Sequence, residues 1–171
     1  SGSSDQEWRE VSGKGTLYEG GLRVPLIIRW PGRTRPGSEC AEQVTSQDFF
    51  PTLADALGQT DAPRHDGVSL LPLLRDPQAK LGRKTLYWHY PHYYPRMTPG
   101  SAAREGDWKL IHYYEGDPVE LFNLHNDPGE TKNLASVQPA RAQALRSRLD
   151  AWRESVNAKA PMPNPNWRPR K

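Results

Sequence analysis

The chain has 171 residues, of which 35% are apolar, with 17 prolines, 14 glycines and a formal net charge of +3. That length can bury a core of one domain's size, but so much proline and glycine commits long stretches to irregular connections. A near-balanced charge, with no basic run beyond Arg168-Pro169-Arg170-Lys171, argues against a nucleic-acid footprint, and a single cysteine, Cys40, excludes an internal disulfide or thiolate cluster.

The first informative segment is Gly13-Lys14-Gly15-Thr16-Leu17-Tyr18-Glu19-Gly20-Gly21-Leu22-Arg23-Val24-Pro25. Glycines around Lys14 let the backbone pass close to a ligand and hold the ammonium as a directed cation, whose natural partner is an anion. A solvated lysine on a glycine loop is the commoner outcome for these residue types alone. Residues 24–30 form an almost continuous apolar run, the pattern of a strand covered on both faces in a parallel or mixed α/β sheet. Its sheet partners are expected upstream. Cys40, flanked by Glu39 and Glu42, is not read as a nucleophile.

Ser46 is expected to cap a helix of about three turns whose apolar face carries Phe49, Phe50, Leu53, Ala54 and Leu57, with Gly58 as its stop and Pro51 in its second turn. Strands are predicted at 85–90, 101–105, 108–114 and 119–123, the second and third joined by a tight Gly106-Asp107 turn. Pro139 opens a last helix in which Ala142, Leu145, Leu149, Trp152 and Val156 recur at helical spacing through about residue 158. The proline-rich tail 160–171 is expected to be extended. An antiparallel four-stranded sheet with this helix laid across it buries one apolar face of each element.

Trp88-His89-Tyr90-Pro91-His92-Tyr93-Tyr94-Pro95 sets two imidazoles among aromatic rings, a composition suited to a sugar ring and its hydroxyls or, equally, to packing between sheet and loop. Arg104, before a tight turn, is a candidate for an anionic partner and also for pairing with Glu105 or Asp107. Glu19 and Arg23 are read as structural ion-pair formers around the lysine loop, and Glu130 as a cap of the Asp127-Pro128-Gly129 turn. His65, His112 and His125 lack ligand-like spacing and are read as structural or exposed.

The lysine segment, its ending Trp30-Pro31-Gly32, and then Ser46-Gln47-Asp48-Phe49-Phe50-Pro51-Thr52-Leu53, Asp66-Gly67-Val68-Ser69-Leu70-Leu71-Pro72-Leu73-Leu74, Arg104-Glu105-Gly106-Asp107-Trp108-Lys109-Leu110-Ile111, Glu120-Leu121-Phe122-Asn123-Leu124 and Asp127-Pro128-Gly129-Glu130-Thr131-Lys132-Asn133-Leu134 resemble, in the same order, the type I, formylglycine-dependent sulfatases of the arylsulfatase family. The resemblance implies the C-terminal part of an alkaline-phosphatase-like α/β enzyme. Residues 1–80 would end the catalytic domain, 81–159 would form a small α+β subdomain with a four-stranded antiparallel sheet and one packed helix, and 160–171 the tail.

It also implies hydrolysis of sulfate esters, of a sulfated carbohydrate, by attack of a hydrated formylglycine on sulfur beside a calcium ion. Lys14 matches the family's sulfate-binding catalytic lysine, and His89, His92 and Arg104 become candidate substrate contacts. The nucleophile motif, Cys/Ser-x-Pro/Ala-x-Arg, does not occur in this chain, and the family's Asp-Asn metal pair is not found before Lys14, where Asp5 is better read as a solvated loop residue. Formylglycine and the Ca2+ ligands are therefore expected outside it, and the chain alone is expected to be inactive. Implied partners are a sulfated small molecule or glycan and the N-terminal part of the same enzyme, without nucleic acid or membrane, in a periplasmic or extracellular setting. A phosphodiesterase or phosphonate hydrolase of the same superfamily, and a non-catalytic carbohydrate-binding module, stay open as alternatives.

Overall fold

The computed structural model describes residues 13–164 except 60, 62, 64, 96 and 163; Asp5 and most of the 160–171 tail lie outside the described residues. Regular structure runs α1 (Glu19–Leu22), a 3₁₀ turn (Ser46–Asp48), α2 (Phe49–Ala56), α3 (Leu71–Arg75), β1 (Thr85–Tyr90), β2 (Gly100–Glu105), β3 (Trp108–Tyr113), β4 (Val119–Asn123) and α4 (Pro139–Ser155). The chain divides into two compact units: one takes in the described residues up to Val24 and those from Lys84 onward, the other is Pro25–Arg83.

The first unit is built on an antiparallel meander in the order β1-β2-β3-β4, with boundaries within one residue of those expected. Gly106, at φ +57°, takes the left-handed position of the turn that pairs Glu105 with Trp108. Strand alternation sorts the side chains into two layers. On one face Ala103, Leu110 and Leu121 pack against Ala142, Leu145 and Leu149, the inward stripe of α4. Pro139 stands in the first turn of α4, where its missing N–H has no partner to lose. The Tyr87 ring stacks on Trp152 at 4.9 Å, and the Arg141 guanidinium lies 4.2 Å from the Trp108 ring centre. Val156, expected to close this stripe, instead caps the helix and is 47% exposed.

The opposite face carries Ala102, Ile111 and Phe122, which pack with Met97, Leu124 and Leu17, and against them lie Tyr18 and Leu22. The lysine segment thus covers the sheet face that α4 leaves open, so both faces of the meander are buried.

The second unit departs further from expectation. No strand forms over 24–30: Val24 is 75% and Ile27 92% exposed. A strand is completed only by another backbone's N–H and C=O groups, and none of the described residues pairs with this run. It ends in a turn in which Trp30 O accepts from the Arg33 and Thr34 N–H groups. The helix after residue 45 does form, but Phe49, Phe50, Leu53 and Leu57 face outward while Pro51 and Thr52 are buried. Its start also shifts. Ser46 opens the 3₁₀ turn rather than capping α2, and the Thr45 N–H donates to Asp48 Oδ2 at 2.8 Å.

Asp48 organises this unit. Fully buried, it accepts from Arg83 Nη1 at 2.7 Å and Nη2 at 2.9 Å and from the Val68 N–H at 3.0 Å. Burial pushes its carboxyl up, but the Arg83 guanidinium and the two N–H donors outweigh that and hold it below the ordinary aspartate value. Gly67 is obligatory beside it, because a Cβ there would come within 2.1 Å of the Gln47 carbonyl oxygen. The short α3, with Leu71 and Leu73 buried, has too few residues to declare a period in the sequence. Among the described residues no helix is long and apolar enough to cross a membrane.

Candidate functional site

Lys14 is exposed, while the backbone around it is tightly constrained. Gly15 holds φ +88°, and a Cβ there would come within 2.5 Å of the Tyr94 ring; a Cβ on Gly21 would come within 2.3 Å of the Thr16 carbonyl oxygen. Thr16 Oγ1 donates to Gly13 O at 3.0 Å. These contacts replace the picture of a loose glycine loop: glycine is required here for close approach, and the segment is fixed.

Three consecutive residues then anchor it to the sheet. Leu17 enters the apolar core. Tyr18 and Tyr113 both donate their hydroxyls to Glu120 Oε2 at 2.8 Å and lie 2.8 Å from each other. Burial, reinforced by Glu120, pushes both phenols well above the usual tyrosine range, so they remain protonated donors.

Glu19 is the third anchor. Its carboxylate accepts from Lys109 Nζ at 3.1 Å and Arg104 Nη1 at 2.9 Å, and its backbone N–H donates to Glu130 Oε2 at 2.5 Å. Lys109 also reaches Glu130 Oε1 at 2.8 Å and is itself 0% exposed. Burial pushes the Glu130 carboxyl up, against the lowering pull of Lys109. The turn role expected for Glu130 is met by its backbone, whose N–H donates to Asp127 O at 3.2 Å, whereas its side chain joins the charge cluster. Lys109 was not anticipated. The available signal is its alternation with Ile111 on the core-facing pleat, where a lysine requires a buried carboxylate partner.

The loop after β1 lies alongside. Tyr94 meets Gly15 and is joined to Met97 by an antiparallel bridge, and Tyr93 donates to Glu115. His92 is exposed, edge-on to Tyr90 with ring centres 5.6 Å apart, and Tyr90 packs on the same core as Leu17 and Tyr18. Lys14, His92 and Arg104 are therefore all carried by segments on one side of the sheet. His89 is not. It points, like Tyr87, toward the α4 side, with Nδ1 2.9 Å from Ser101 Oγ and 2.7 Å from the Tyr114 hydroxyl, and Nε2 2.9 Å from Lys159 O. Burial lowers its basicity, and a neutral ring donating from Nε2 suits these partners. Both His89 ring nitrogens are thus engaged within the chain, joining the sheet to the segment that follows α4.

Arg104 bonds Glu19 and the Gly106 carbonyl oxygen rather than Glu105 or Asp107. His112, with Nε2 2.7 Å from Asp117 Oδ1, is buried, and His65 bonds Gly67 O at 3.0 Å. Among the described residues no three His, Cys, Asp or Glu side chains converge as a metal-holding group. This face thus carries an exposed lysine on a constrained backbone, with the aromatic loop of His92 and Tyr94 on the same side of the sheet.

Residues 7–155 match the family described as N-sulphoglucosamine sulphohydrolase, C-terminal. A sulfatase of Formosa agariphila is 39% identical over 162 residues, covering 85% of this chain and 29% of that protein. A Delta 4,5-hexuronate-2-O-sulfatase of Bacteroides thetaiotaomicron is 35% identical over 125 residues, covering 70% of this chain and 26% of its own length. A solved structure of a protein in complex with its substrate, D-glucosamine-2-N,6-O-disulfate, superposes with a TM-score of 0.73 at 30% identity, covering 85% of this chain and 31% of that one. The chain thus spans less than a third of the length of these relatives.

Proposed function

Because the chain belongs to the sulfatase family, matching its N-sulphoglucosamine sulphohydrolase C-terminal region, we propose that it serves as the C-terminal part of an enzyme that hydrolyses sulfate esters of a carbohydrate. The observation that carries this is an exposed lysine on a backbone locked by Gly15, Gly21, Leu17, Tyr18 and Glu19. Held there, the Lys14 ammonium neutralises sulfate oxygens and stabilises the departing oxygen as its negative charge grows. His92, on the neighbouring aromatic loop, is assigned to the sugar hydroxyls. Arg104 acts on the substrate only indirectly, since its guanidinium is spent on Glu19 and the Gly106 carbonyl.

Formylglycine, which supplies the nucleophile to sulfur, and calcium, which offsets sulfate charge, belong to residues outside those described. The outward apolar face of α2 and the exposed 24–28 run fit burial against that catalytic portion. A periplasmic or extracellular setting is the reading that the family resemblance supports.

The test uses the full-length protein and measures sulfate released from D-glucosamine-2-N,6-O-disulfate and from 4-nitrophenyl sulfate. Lys14→Ala is expected to lower kcat by about 10²- to 10³-fold with an unchanged melting temperature. An unaltered rate would remove Lys14 from the chemistry. Hydrolysis of the aryl ester alone would remove the carbohydrate.

A further inference from the structure

A lysine side chain is a point charge on a flexible four-carbon stem, so its ammonium is aimed only as well as its backbone is held. The backbone of Lys14 is held, a short way downstream, by four charged groups. Glu19 presents Oε1 to Lys109 at 3.1 Å and Oε2 to Arg104 at 2.9 Å, while Lys109 reaches Glu130 Oε1 at 2.8 Å and the Glu19 N–H reaches Glu130 Oε2 at 2.5 Å. The cluster is neutral, two cations against two carboxylates. It also draws on four separate stretches of chain: α1, β2, β3 and the turn after β4.

Buried ion clusters of this kind give little net stability over a well-packed apolar alternative, because desolvation consumes most of the attraction. In this cluster slippage of one member would strand its partner's charge in the interior, which disfavours alternative arrangements of the four segments. Apolar contacts at Leu17 alone would tolerate small shifts of the loop. The cluster does not.

We propose that Glu19 is a positioning residue for catalysis, setting through Lys109, Arg104 and Glu130 the place at which the Lys14 ammonium meets the sulfate. The inference rests on the sulfate role proposed for Lys14. Glu19 itself, buried and doubly paired, touches no substrate and acts through the loop. A displacement of about 1 Å in a charge-stabilising group costs up to about 10²-fold in rate, which sets the scale of the effect.

A double-mutant cycle in the full-length protein tests it, with Lys14→Ala, Glu19→Gln and the pair compared on D-glucosamine-2-N,6-O-disulfate or 4-nitrophenyl sulfate, whichever turns over faster. Glu19→Gln keeps the side-chain shape and the backbone donor, and should lower kcat by about ten- to a hundredfold. In the Lys14→Ala background the same change should cost less than about threefold, because the group it serves is already gone. Multiplying losses would overturn the positioning role while leaving Lys14 in place. An undiminished rate for Lys14→Ala would instead overturn the sulfate reading. If Glu19→Gln fails to fold, Arg104→Gln at the partly exposed rim of the cluster runs the same cycle, with an expected loss of about three- to tenfold that again vanishes without Lys14. Full activity in a folded Glu19 or Arg104 variant also overturns it.

Discussion

Each of the two units is organised by a buried carboxylate, yet they use it differently. In Pro25–Arg83, Asp48 gathers Thr45, Val68 and Arg83, while Phe49, Phe50, Leu53 and Leu57 stay at the surface. In the other unit Glu19 and Glu130 enclose Lys109 beneath a sheet whose two faces are already covered, by α4 and by the lysine segment. Asp48 stands beside a small apolar set, Leu70, Leu71 and Leu73, whereas Glu19 and Glu130 are set inside a larger core. The sheet unit buries apolar side chains on both faces around its ion cluster, whereas the smaller unit buries few and keeps much of its apolar surface exposed.

The sharpest way to break this comparison is Lys109→Met. Removing the shared cation leaves Glu19 and Glu130 facing each other in the interior, and we expect about 3–5 kcal/mol of destabilisation in urea unfolding. A loss below about 1 kcal/mol would mean the carboxylates are not dependent on it.

The next test contrasts apolar positions. Leu149→Ala, at a side chain with 0% exposure, should cost about 2–5 kcal/mol, whereas Leu53→Ser, 59% exposed on α2, should stay within about 0.5 kcal/mol in the 171-residue chain. Comparable losses at both would show that α2 buries its apolar face after all.

The smallest effect is in acid. Asp48 titrates below its ordinary value of 3.8 when folded, so the stability it contributes is present above that pH and is lost as pH falls through the folded value. Glu130 has the opposite sign. Its folded carboxyl titrates above the ordinary 4.5, so its contribution is fullest below that pH and declines as pH rises through the folded value. Acidification below about pH 4 should therefore loosen Pro25–Arg83 first, seen as faster amide exchange at Val68 and Thr45, and Asp48→Asn should abolish that acid step. Simultaneous loosening of both units would contradict the assignment.

Much of the sheet unit could be read from the sequence because its signals are local. Period-two alternation, the Gly106-Asp107 turn and the spacing of Ala142, Leu145 and Leu149 each sit within a few residues. Residue types around Lys14 alone favour a solvated lysine, and it is the order of the motifs that makes an anion partner worth proposing; Tyr94 against Gly15, remote in sequence, constrains that loop's backbone. The Lys109 cluster was hidden because its members are remote, with Lys109 and Glu19 separated by 90 positions. Periodicity identified the apolar stripe of α2 correctly but could not say which side of the helix the structure would cover. Similarly, 24–30 has the composition of a strand, and composition cannot supply a hydrogen-bonding neighbour. His89 and His92 look equivalent in the sequence; pleating sends the first toward α4, while the second, beyond the strand, stays exposed beside Tyr90.

The charge balance among Glu19, Arg104, Lys109 and Glu130 constrains how such a chain can vary over time. Any lone replacement leaves an odd, stranded ion, so drift at these four sites should proceed by exchanges made together, or by wholesale conversion of the set to hydrocarbon. A lineage that took the second route would keep its folded sheet while surrendering the precision with which its lysine is aimed.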